Sequence, residues 1–360
     1  MTAIIVLVAW IMAAAVSLPL LIFSIEVLFG IAKGRRRKID GAPPKTCILI
    51  PAHNEEAIIN ATLARLKDAL PTGASILVVA DNCTDNTAEV VRKSGFAVLE
   101  RFDVKRRGKG YALAHGRSWL TQDPPDCVII FDADCATDAA SLANLARFSV
   151  ATMSAVQAGY FFESDLSVPV KVQISNFALW VKNIVRQRGA CRLGGGAILT
   201  GTGMAFPWRI FADLPLATAS IVEDLALTID LVRAGKAPAY LDQAIVFSTA
   251  AAEVATLEQR SRWEHGFMGV ARNHGWPLLR SGILRMDRKS AILGLHLLVP
   301  PFALLLATSF AAVIFLSGLA VLIDNFLPFV VSALALAVAM LSVILAWISG
   351  GRRWLKARAI

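Results

Sequence analysis

The sequence is poor in cysteine, with five in a chain of 360 residues: Cys47, Cys83, Cys127, Cys135 and Cys191. They show no paired spacing of the zinc-binding kind, and their odd number does not suit a complete set of disulfides. We therefore interpret them as reduced, partly buried thiols in a cytosolic compartment. The chain also has no internal repeat and no low-complexity segment. It lacks a basic helix with interleaved aromatic residues, which disfavours nucleic-acid binding although the formal net charge is +9.

Apolar residues dominate instead. The chain is 56% hydrophobic with a mean hydropathy of +0.59, which indicates membrane segments. Apolar runs at about residues 3–32, 291–323 and 326–349 predict three membrane spans. Glu26 is the only charge in the first run, and we expect it at the membrane interface. No basic region precedes that run, so a cleaved signal peptide is disfavoured.

Basic residues follow the first and the last apolar run, at residues 35–38 and 352–358. Because Lys and Arg collect on the cytoplasmic side of a membrane, this distribution predicts three spans with the N-terminus outside and the C-terminus inside. Such clusters also suit contact with anionic membrane lipids. We therefore expect an integral protein of the plasma membrane, the inner membrane in a bacterium, whose polar middle part lies in the cytoplasm.

Between the apolar runs, buried strands alternate with helices. Apolar stretches at residues 46–51, 75–80 and 127–131 predict strands covered on both faces, and a polar tip and a helix follow each strand. This order is typical of a mostly parallel sheet with helices on both faces. The predicted fold class is therefore α/β and Rossmann-like, with one N-terminal and two C-terminal transmembrane helices.

Two carboxylates, Asp132 and Asp134, stand two residues apart where the strand at 127–131 ends. Ligands of open α/β sheets bind outside the carboxyl ends of the strands. A hard divalent cation such as Mg²⁺ or Mn²⁺ prefers carboxylate oxygens and shares its other sites with substrate phosphates. The pair therefore indicates a cation that holds a diphosphate. Taken alone, such a pair is more often two solvated turn residues.

Other polar residues fall at strand ends or helix starts of the same predicted sheet. Asp81 follows the second strand, where its carboxylate either accepts a hydrogen bond from a ligand or shapes a turn. Lys109 precedes a helix in a basic, glycine-rich loop, which suits a phosphate as well as solvent. The pair Glu223-Asp224 opens a helix, where it serves either proton transfer or the helix dipole.

Three motifs occur together, in the order found in one enzyme family: Asp132-x-Asp134, Glu223-Asp224 and Gln259-x-x-Arg262-Trp263. With them, about residues 45–270 resemble the inverting family 2 glycosyltransferases of the GT-A fold. That family includes the cellulose, chitin and hyaluronan synthases. The flanking apolar helices are similar to those of its membrane-bound members in placement only.

The resemblance implies roles for individual residues. It implies a nucleotide-sugar site made by residues in the first loop, at three strand or helix ends and in the last motif: Pro51, Glu55, Asp81, Lys109, Asp132 and Arg262. In this family the position of Asp81 contacts the uracil ring.

The resemblance also implies that Asp134 is the metal ligand, with Asp132 beside it, and that Asp224, next to Glu223, is the general base. The implied acceptor site comprises a glycine-containing loop and two residues of the last motif: Gly201, Thr202, Gly203, Gln259 and Trp263. For the last motif, an alternative is that Trp263 anchors the membrane interface and that Arg262 contacts lipid headgroups.

These observations predict five regions along the chain. They are an N-terminal transmembrane helix (1–33), a cytoplasmic GT-A domain (34–250), interfacial helices with the last motif (251–288), a transmembrane hairpin (289–349) and a basic cytoplasmic tail (350–360). The predicted function is metal-dependent inverting transfer of a sugar, with a UDP-sugar as donor and a lipid-linked saccharide as acceptor, in polysaccharide or glycolipid biosynthesis.

Three alternatives stay open. The first is a processive polysaccharide synthase that works as an oligomer or with partner subunits, since the motif at residues 259–263 is typical of processive members while three spans make a poor channel wall. The second is an inactive membrane scaffold that binds nucleotide or lipid. The third is a lipid-phosphate nucleotidyltransferase, which would release pyrophosphate and gives no reason for the Glu223-Asp224 pair.

Overall fold

The structure is a computed structural model that describes residues 2–34, 38–163, 166–218, 222–248 and 253–356, except for the side chains of residues 2 and 253–262. The chain divides into two compact units. The sheet unit comprises Lys33–Glu163 and Gly196–Phe267. The helical unit comprises Met1–Ala32, Ser164–Gly195 and Met268–Ile360.

Eight strands of the described residues form one sheet in the sheet unit. They are β1 (Thr46–Ala52), β2 (Ala74–Asp81), β3 (Ala97–Arg101), β4 (Cys127–Ile130), β5 (Cys135–Thr137), β6 (Val156–Phe162), β7 (Met204–Pro207) and β8 (Ala239–Ser248). The strand order is β3-β2-β1-β4-β7-β6-β8-β5. The first four are parallel neighbours, β7 runs antiparallel to both β4 and β6, and β5 runs antiparallel to β8.

The described helices belong to both units. They are α1 (Thr2–Gly30), α2 (Ile59–Ala69), α3 (Thr87–Lys93), α4 (Lys109–Leu120), α5 (Ala139–Thr152), α6 (Val170–Trp180), α7 (Gln187–Arg192), α8 (Trp208–Phe211), α9 (Glu223–Arg233), α10 (Glu253–Leu284), α11 (Arg288–Leu297), α12 (Phe302–Ile323) and α13 (Leu327–Ser349). A π-helical turn, Val181–Arg186, joins α6 to α7. A 3₁₀ turn, Gly351–Arg353, follows α13.

The central strand β1 is buried on both faces, as its uninterrupted apolar sequence predicts. Side chains alternate across a strand, so Ile48 and Ile50 enter one core cluster with residues of α2 and α5. Cys47 and Leu49 enter a second cluster with residues of α4, α8 and α9. Helices therefore cover both faces of a mostly parallel sheet, which confirms the predicted fold class.

Two strands that were not predicted, β5 and β7, are three and four residues long. Such short apolar stretches carry too little periodicity to mark a strand. β7 pairs antiparallel with β4, with Met204 opposite Ile130, and the Gly203 N–H donates to the Ile130 carbonyl at 2.9 Å. The start of β7 therefore lies at the carboxyl end of β4, beside Asp132.

The helical unit holds the apolar helices. Among the described residues, three helices are long and apolar enough to cross a membrane: Ala3–Gly30 of α1, then α12 and α13. They correspond to the three predicted spans. Their length and composition suggest a membrane protein.

A buried cluster of charged and polar groups lies in the helical unit. Glu26 of α1 is 2% exposed, and the Arg186 Nε donates to its Oε2 at 2.6 Å. The His296 Nδ1 lies 2.8 Å from Glu26 Oε1, and the Arg186 guanidinium carbon lies 5.4 Å from the ring centroid of Phe23. The sequence led us to expect Glu26 at the membrane interface, and the structure shows that its carboxylate is enclosed with a cation, a contact that the sequence did not predict. A buried charge needs such a partner.

We predict that Glu26→Ala lowers the free energy of unfolding by about 3–5 kcal/mol, because Arg186 would keep a buried charge without its carboxylate. Thermal unfolding of the purified protein in detergent measures the change. The matched control is Arg92→Ala, which breaks the exposed pair with Glu100 and should cost less than about 1 kcal/mol. Equal effects of the two substitutions would contradict the prediction.

Candidate functional site

The polar ends of four strands lie at one edge of the sheet. β1 pairs in parallel with β2 and with β4, so the three carboxyl ends point the same way, and the antiparallel β7 begins there. Five of the predicted residues belong to these carboxyl ends or follow them: Pro51, Glu55, Asp81, Asp132 and Asp134. Strand pairing thus collects residues that are far apart in the sequence at the edge where ligands of α/β sheets bind.

Lys109, the first residue of α4, reaches the tip of β4. Its Nζ donates to Asp132 Oδ1 and to the Gly201 carbonyl, the latter at 2.8 Å. Burial opposes the charge on Lys109, but the carboxylates of Asp132, Glu223 and Asp224 raise its pKa above the ordinary value. The ammonium therefore stays charged. It has three N–H groups, and these two bonds leave a third for a ligand.

Asp132 and Asp134 form a candidate metal site. One carboxylate oxygen of each and the Cys135 Sγ lie within 4.8 Å of one another. Burial, and then the charge of Asp132, raise the pKa of Asp134 above its ordinary value. Burial also raises the pKa of the Cys135 thiol well above its usual range, so this group stays protonated and is a poor ligand for a hard cation. The two carboxylates fit Mg²⁺ or Mn²⁺.

The loop before β7 is fixed both to the tip of β4 and to β6. The Asp132 N–H donates to Thr202 Oγ1 at 3.1 Å. Gln157 of β6, which is fully buried, donates from Nε2 to the Thr202 carbonyl and accepts at Oε1 from the Thr200 N–H, both at 2.9 Å. The sequence analysis did not single out Gln157, because one glutamine in a strand belongs to no motif. Only the strand pairing reveals its contacts.

Three charged side chains converge on Gly201. A Cβ atom at Gly201 would lie 3.4 Å from Lys109 Nζ, 3.5 Å from Asp224 Oδ2 and 4.0 Å from Asp132 Oδ2. The other Asp224 oxygen, Oδ1, accepts from the Leu225 N–H at 2.7 Å, in the first turn of α9. The structure thus brings together Asp132 and Asp224, which come from two separate sequence motifs.

Glu223 is buried beside this point, with 8% of the residue exposed. Burial raises the pKa of Glu223 to about 7, while the charge of Lys109 lowers it and that of Asp224 raises it further. The start of α9 is anchored by Thr228, whose Oγ1 donates to the Asp224 carbonyl and accepts from the Leu199 N–H, both at 2.9 Å. Glu223 thus titrates near neutrality in a fixed position.

The first loop follows β1 and lies near the carboxylates of Asp132 and Asp134. Pro51 is in β1 opposite Val79 of β2, and the Glu55 N–H donates to Thr87 Oγ1 at 2.8 Å. Burial, and then the charges of Asp134 and Asp132, raise the pKa of Glu55 to about 7. Glu55 is therefore close enough to Asp132 and Asp134 for their negative charges to disfavour its ionised form.

Asp81, the last residue of β2, is held by an arginine that was not predicted. Arg101 Nη1 donates to Asp81 Oδ1 at 2.5 Å, and the two residues are register partners at the ends of β2 and β3. The Arg101 guanidinium carbon lies 5.5 Å from the ring centroid of Tyr111. Arg101 occurs in no motif, and only the β2–β3 register places it beside Asp81.

The last motif falls in α10. The side chains of Gln259 and Arg262 lie outside the described residues, and Trp263 is half-buried. One turn after Trp263, a Cβ atom at Gly266 would lie 2.9 Å from Cγ1 of Val222, the N-cap of α9. Residues three apart share a helix face, so Trp263 is on the face of α10 that approaches the start of α9.

A family model described as "Glycosyltransferase like family 2" matches residues 43–266, which is more than half of the chain. The chain therefore belongs to this family.

Among solved structures, the chain is similar to the mannosyltransferase PcManGT from Pyrobaculum calidifontis in complex with GDP-Man and Mn²⁺. The TM-score is 0.55 and the identity 18%, over 96% of this chain and 99% of that one. At this identity the likeness shows the GT-A fold alone.

Curated relatives match over shorter stretches. The chain is 37% identical over 87 residues to the uncharacterized protein MJ1222 of Methanocaldococcus jannaschii, which covers 24% of this chain and 34% of that protein. It is 35% identical over 101 residues to the probable glycosyltransferase YdaM of Bacillus subtilis, covering 25% and 23%. The matched stretches thus span about a third and a quarter of these relatives.

We predict that Gly201→Ala suppresses glycosyl transfer while the protein still folds, because the methyl group would enter the space between Lys109, Asp224 and Asp132. The φ angle of Gly201 is +85°, so the substitution also carries a backbone cost of about 1–2 kcal/mol. The matched control is Gly235→Ala, where φ is +72° and a Cβ atom meets nothing within 4 Å. Transfer rate and thermal unfolding measure the two effects. Equal activity of the two variants would contradict the prediction.

We predict a pH dependence of stability that originates at Glu223. Its folded pKa, about 7, lies above the unfolded value near 4.5. The folded state thus binds the extra proton between these values, and the stability that the proton gives is lost as the pH rises towards 7. Glu223→Gln should therefore gain stability relative to the wild type between pH 5 and pH 8.

The measurement is thermal unfolding of both proteins across this pH range. Glu89→Gln, which replaces an exposed glutamate of α3, is the matched control and should leave the pH profile unchanged. If the difference between Glu223→Gln and the wild type does not change with pH, the assignment of this pH dependence to Glu223 is wrong.

Proposed function

We propose that this family 2 glycosyltransferase transfers a sugar from a nucleotide sugar, foremost a UDP-sugar, to a lipid-linked saccharide with inversion at the anomeric carbon. The product would serve polysaccharide or glycolipid synthesis. The observation that carries the proposal is the convergence of the Asp132 and Asp224 carboxylates on Gly201. A single displacement requires a group that binds the donor and a base that takes the proton of the acceptor, and both must act at one point.

The donor would lie along the carboxyl edge of the sheet. In this proposal Asp81 accepts a hydrogen bond from a ring N–H of the base, and Pro51 and Glu55 line the nucleotide. Asp132 binds the ribose or the sugar diphosphate. The third N–H of Lys109 donates to a diphosphate oxygen, a role that its permanent charge supports. Arg262 would pair with the same diphosphate.

Asp224 acts as the general base. The acceptor hydroxyl oxygen attacks the anomeric carbon, and its proton passes to Asp224 Oδ2, the oxygen that faces Gly201. The bond between the anomeric carbon and the phosphate oxygen breaks, and the nucleoside diphosphate leaves with the electron pair. One displacement inverts the anomeric configuration. Neighbouring Glu223, with a pKa of about 7, is partly neutral at physiological pH, which limits like-charge repulsion beside Asp224.

Asp134, with Asp132, would hold a divalent cation, Mg²⁺ or Mn²⁺. The carboxylate oxygens within 4.8 Å of one another support this assignment. When bound, such a cation neutralises the negative charge that grows on the leaving diphosphate. Lys109 adds a second positive charge at the same end of the site.

The acceptor would approach from the side of the loop before β7. Gly201 has no side chain to fill the space between Lys109, Asp224 and Asp132, and Thr202 is held in place by Asp132 and Gln157. Gly203, by contrast, packs against Val246 and Ala158, so it would support the loop rather than touch the acceptor. Gln259 and Trp263 of α10 would complete the acceptor site. The three apolar helices support a lipid-linked acceptor at a membrane. The basic segments after the first and last of them support a cytoplasmic catalytic domain with the N-terminus outside.

A processive synthase is the second candidate function. The motif that favours it, Gln259-x-x-Arg262-Trp263, is present in α10. Three candidate spans make a poor channel wall, so this function would require an oligomer or partner subunits. The length of the saccharide product distinguishes the two functions: one added sugar supports the first, and a ladder of products supports the second.

The test is nucleoside diphosphate release by the purified protein with Mg²⁺ or Mn²⁺ and a panel of nucleotide sugars, in the presence of membrane lipid extract. GDP-sugars belong in the panel because the structural neighbour was solved with GDP-Man. We predict that Asp224→Asn lowers the rate by about 10²–10⁴-fold, the usual contribution of a general base, and leaves nucleotide binding intact. The anomeric configuration of the product, measured by NMR, should be inverted.

Asp230→Asn is the matched control, because Asp230 is an exposed carboxylate of the same helix, α9. It should retain the wild-type rate. An Asp224→Asn protein as fast as the wild type would exclude Asp224 as the base. Wild-type protein that binds nucleotide but transfers no sugar from any donor would favour the scaffold, and release of pyrophosphate would favour a nucleotidyltransferase.

A further inference from the structure

Arg101 is a charged residue near the nucleotide edge to which the proposed function gives no role. It ends β3, beside the end of β2, and its side chain is 12% exposed. Arg101 Nη1 donates to Asp81 Oδ1 at 2.5 Å and Nη2 donates to Asp103 Oδ2 at 3.3 Å. A guanidinium carries five N–H groups, so these two hydrogen bonds leave further N–H donors of Arg101 for a ligand.

The position of Arg101 relative to Asp81 is fixed by several contacts. The two residues are register partners, and the Arg101 carbonyl accepts from the Asn82 N–H at 2.7 Å. The guanidinium carbon also lies 5.5 Å from the ring centroid of Tyr111, in α4. An acceptor, Asp81 Oδ2, and the remaining donors of Arg101 are therefore held side by side in a set order.

We propose that Asp81 and Arg101 together read the donor's base and select keto bases, uracil or guanine, over amino bases, cytosine or adenine. This inference rests on the proposed function, in which Asp81 accepts from a ring N–H. Arg101 donates to the carbonyl oxygen next to that N–H. Arg101 is thus a residue that determines donor specificity.

The selection follows from the order of donors and acceptors on the base. In uracil and guanine the exocyclic oxygen accepts and the adjacent ring N–H donates. In cytosine and adenine the exocyclic amino group donates and the adjacent ring nitrogen accepts. An amino base would place a ring lone pair against the Asp81 carboxylate and an amino group against the Arg101 guanidinium. Both contacts are repulsive, and they leave buried polar groups unpaired.

Only a reoriented base, with its amino group at Asp81 and its ring nitrogen at Arg101, would restore the match for an amino base. The ribose and the diphosphate oppose such a reorientation, because the proposed function holds them at Asp132 and Lys109, two side chains that are hydrogen-bonded to each other. Discrimination therefore requires both ends of the donor to be fixed. A site that lacked Arg101 would retain only the single acceptor of Asp81.

The experiment measures the dissociation constants of UDP, CDP, GDP and ADP for the full-length protein in detergent with Mn²⁺. Each comparison pairs bases of the same ring size, so the contributions of ribose, diphosphate and metal cancel in the UDP-to-CDP and GDP-to-ADP ratios. We expect the wild type to bind the keto member of at least one pair about 10- to 100-fold more tightly. Arg101→Gln should lower that ratio, because only the contact with Asp81 would remain.

Two further variants separate base reading from support of the fold. Arg101→Lys keeps a positive charge beside Asp81 but lacks the planar fork, so it should fold and show a reduced ratio. Arg92→Gln removes an exposed arginine that pairs with Glu100, the neighbour of Arg101 in β3, and should keep the wild-type ratio.

The outcomes are distinct. A lower keto-to-amino ratio in both Arg101 variants supports the proposal. Equal weakening of all four nucleotides in these variants, with the ratio unchanged, means that the pair only braces β2 against β3 and overturns it. A wild type that binds nucleotides without keto preference overturns this inference but leaves the proposed function standing. A wild type that binds none of them overturns both.

Discussion

The contact of Lys109 with Asp132 and the Gly201 carbonyl is the interaction on which the site depends. It joins the start of α4, the tip of β4 and the loop before β7. It also places a permanent positive charge among carboxylates that would otherwise repel one another. The raised pKa of Lys109 reflects their summed charge. Without the Lys109 ammonium, repulsion between the carboxylates of Asp132 and Asp224 would oppose their common approach to Gly201.

The fold and most of the site could be predicted from the sequence because both depend on local patterns. The uninterrupted apolar sequence of β1 predicts a central strand. Asp132 and Asp134 follow β4, as expected for residues at a ligand-binding edge. What could not be predicted depends on pairing between distant segments. The short strand β7, Gln157 and Arg101 carry no local signal, and each acquires its contacts from a strand neighbour far away in the sequence.

Glu26 illustrates the same limit in the helical unit. One charge in a long apolar run has a plausible place at the interface, and the sequence contains no sign of its partners. Arg186 and His296 lie 160 and 270 residues further along the chain. The carboxylate of Glu26 accepts a hydrogen bond from Arg186, so the burial of one charge is compensated by the other. In the sequence alone, a charged residue in a membrane span is a candidate functional residue, and only the structure shows that Glu26 belongs to an ion pair.

The contacts of residues 200–204 limit where residues can be inserted into the chain or deleted from it. Gln157 holds Thr200 and Thr202, and the Gly203 N–H is bonded to Ile130. At Gly203 a Cβ atom would lie 2.8 Å from Val246 Cγ2. An inserted or deleted residue would displace Gly201 by about 3.4 Å along the strand direction, which is enough to separate it from Lys109. Substrate range in descendants of this chain is therefore expected to diversify through segments other than this one, where insertions do not shift the register of β7.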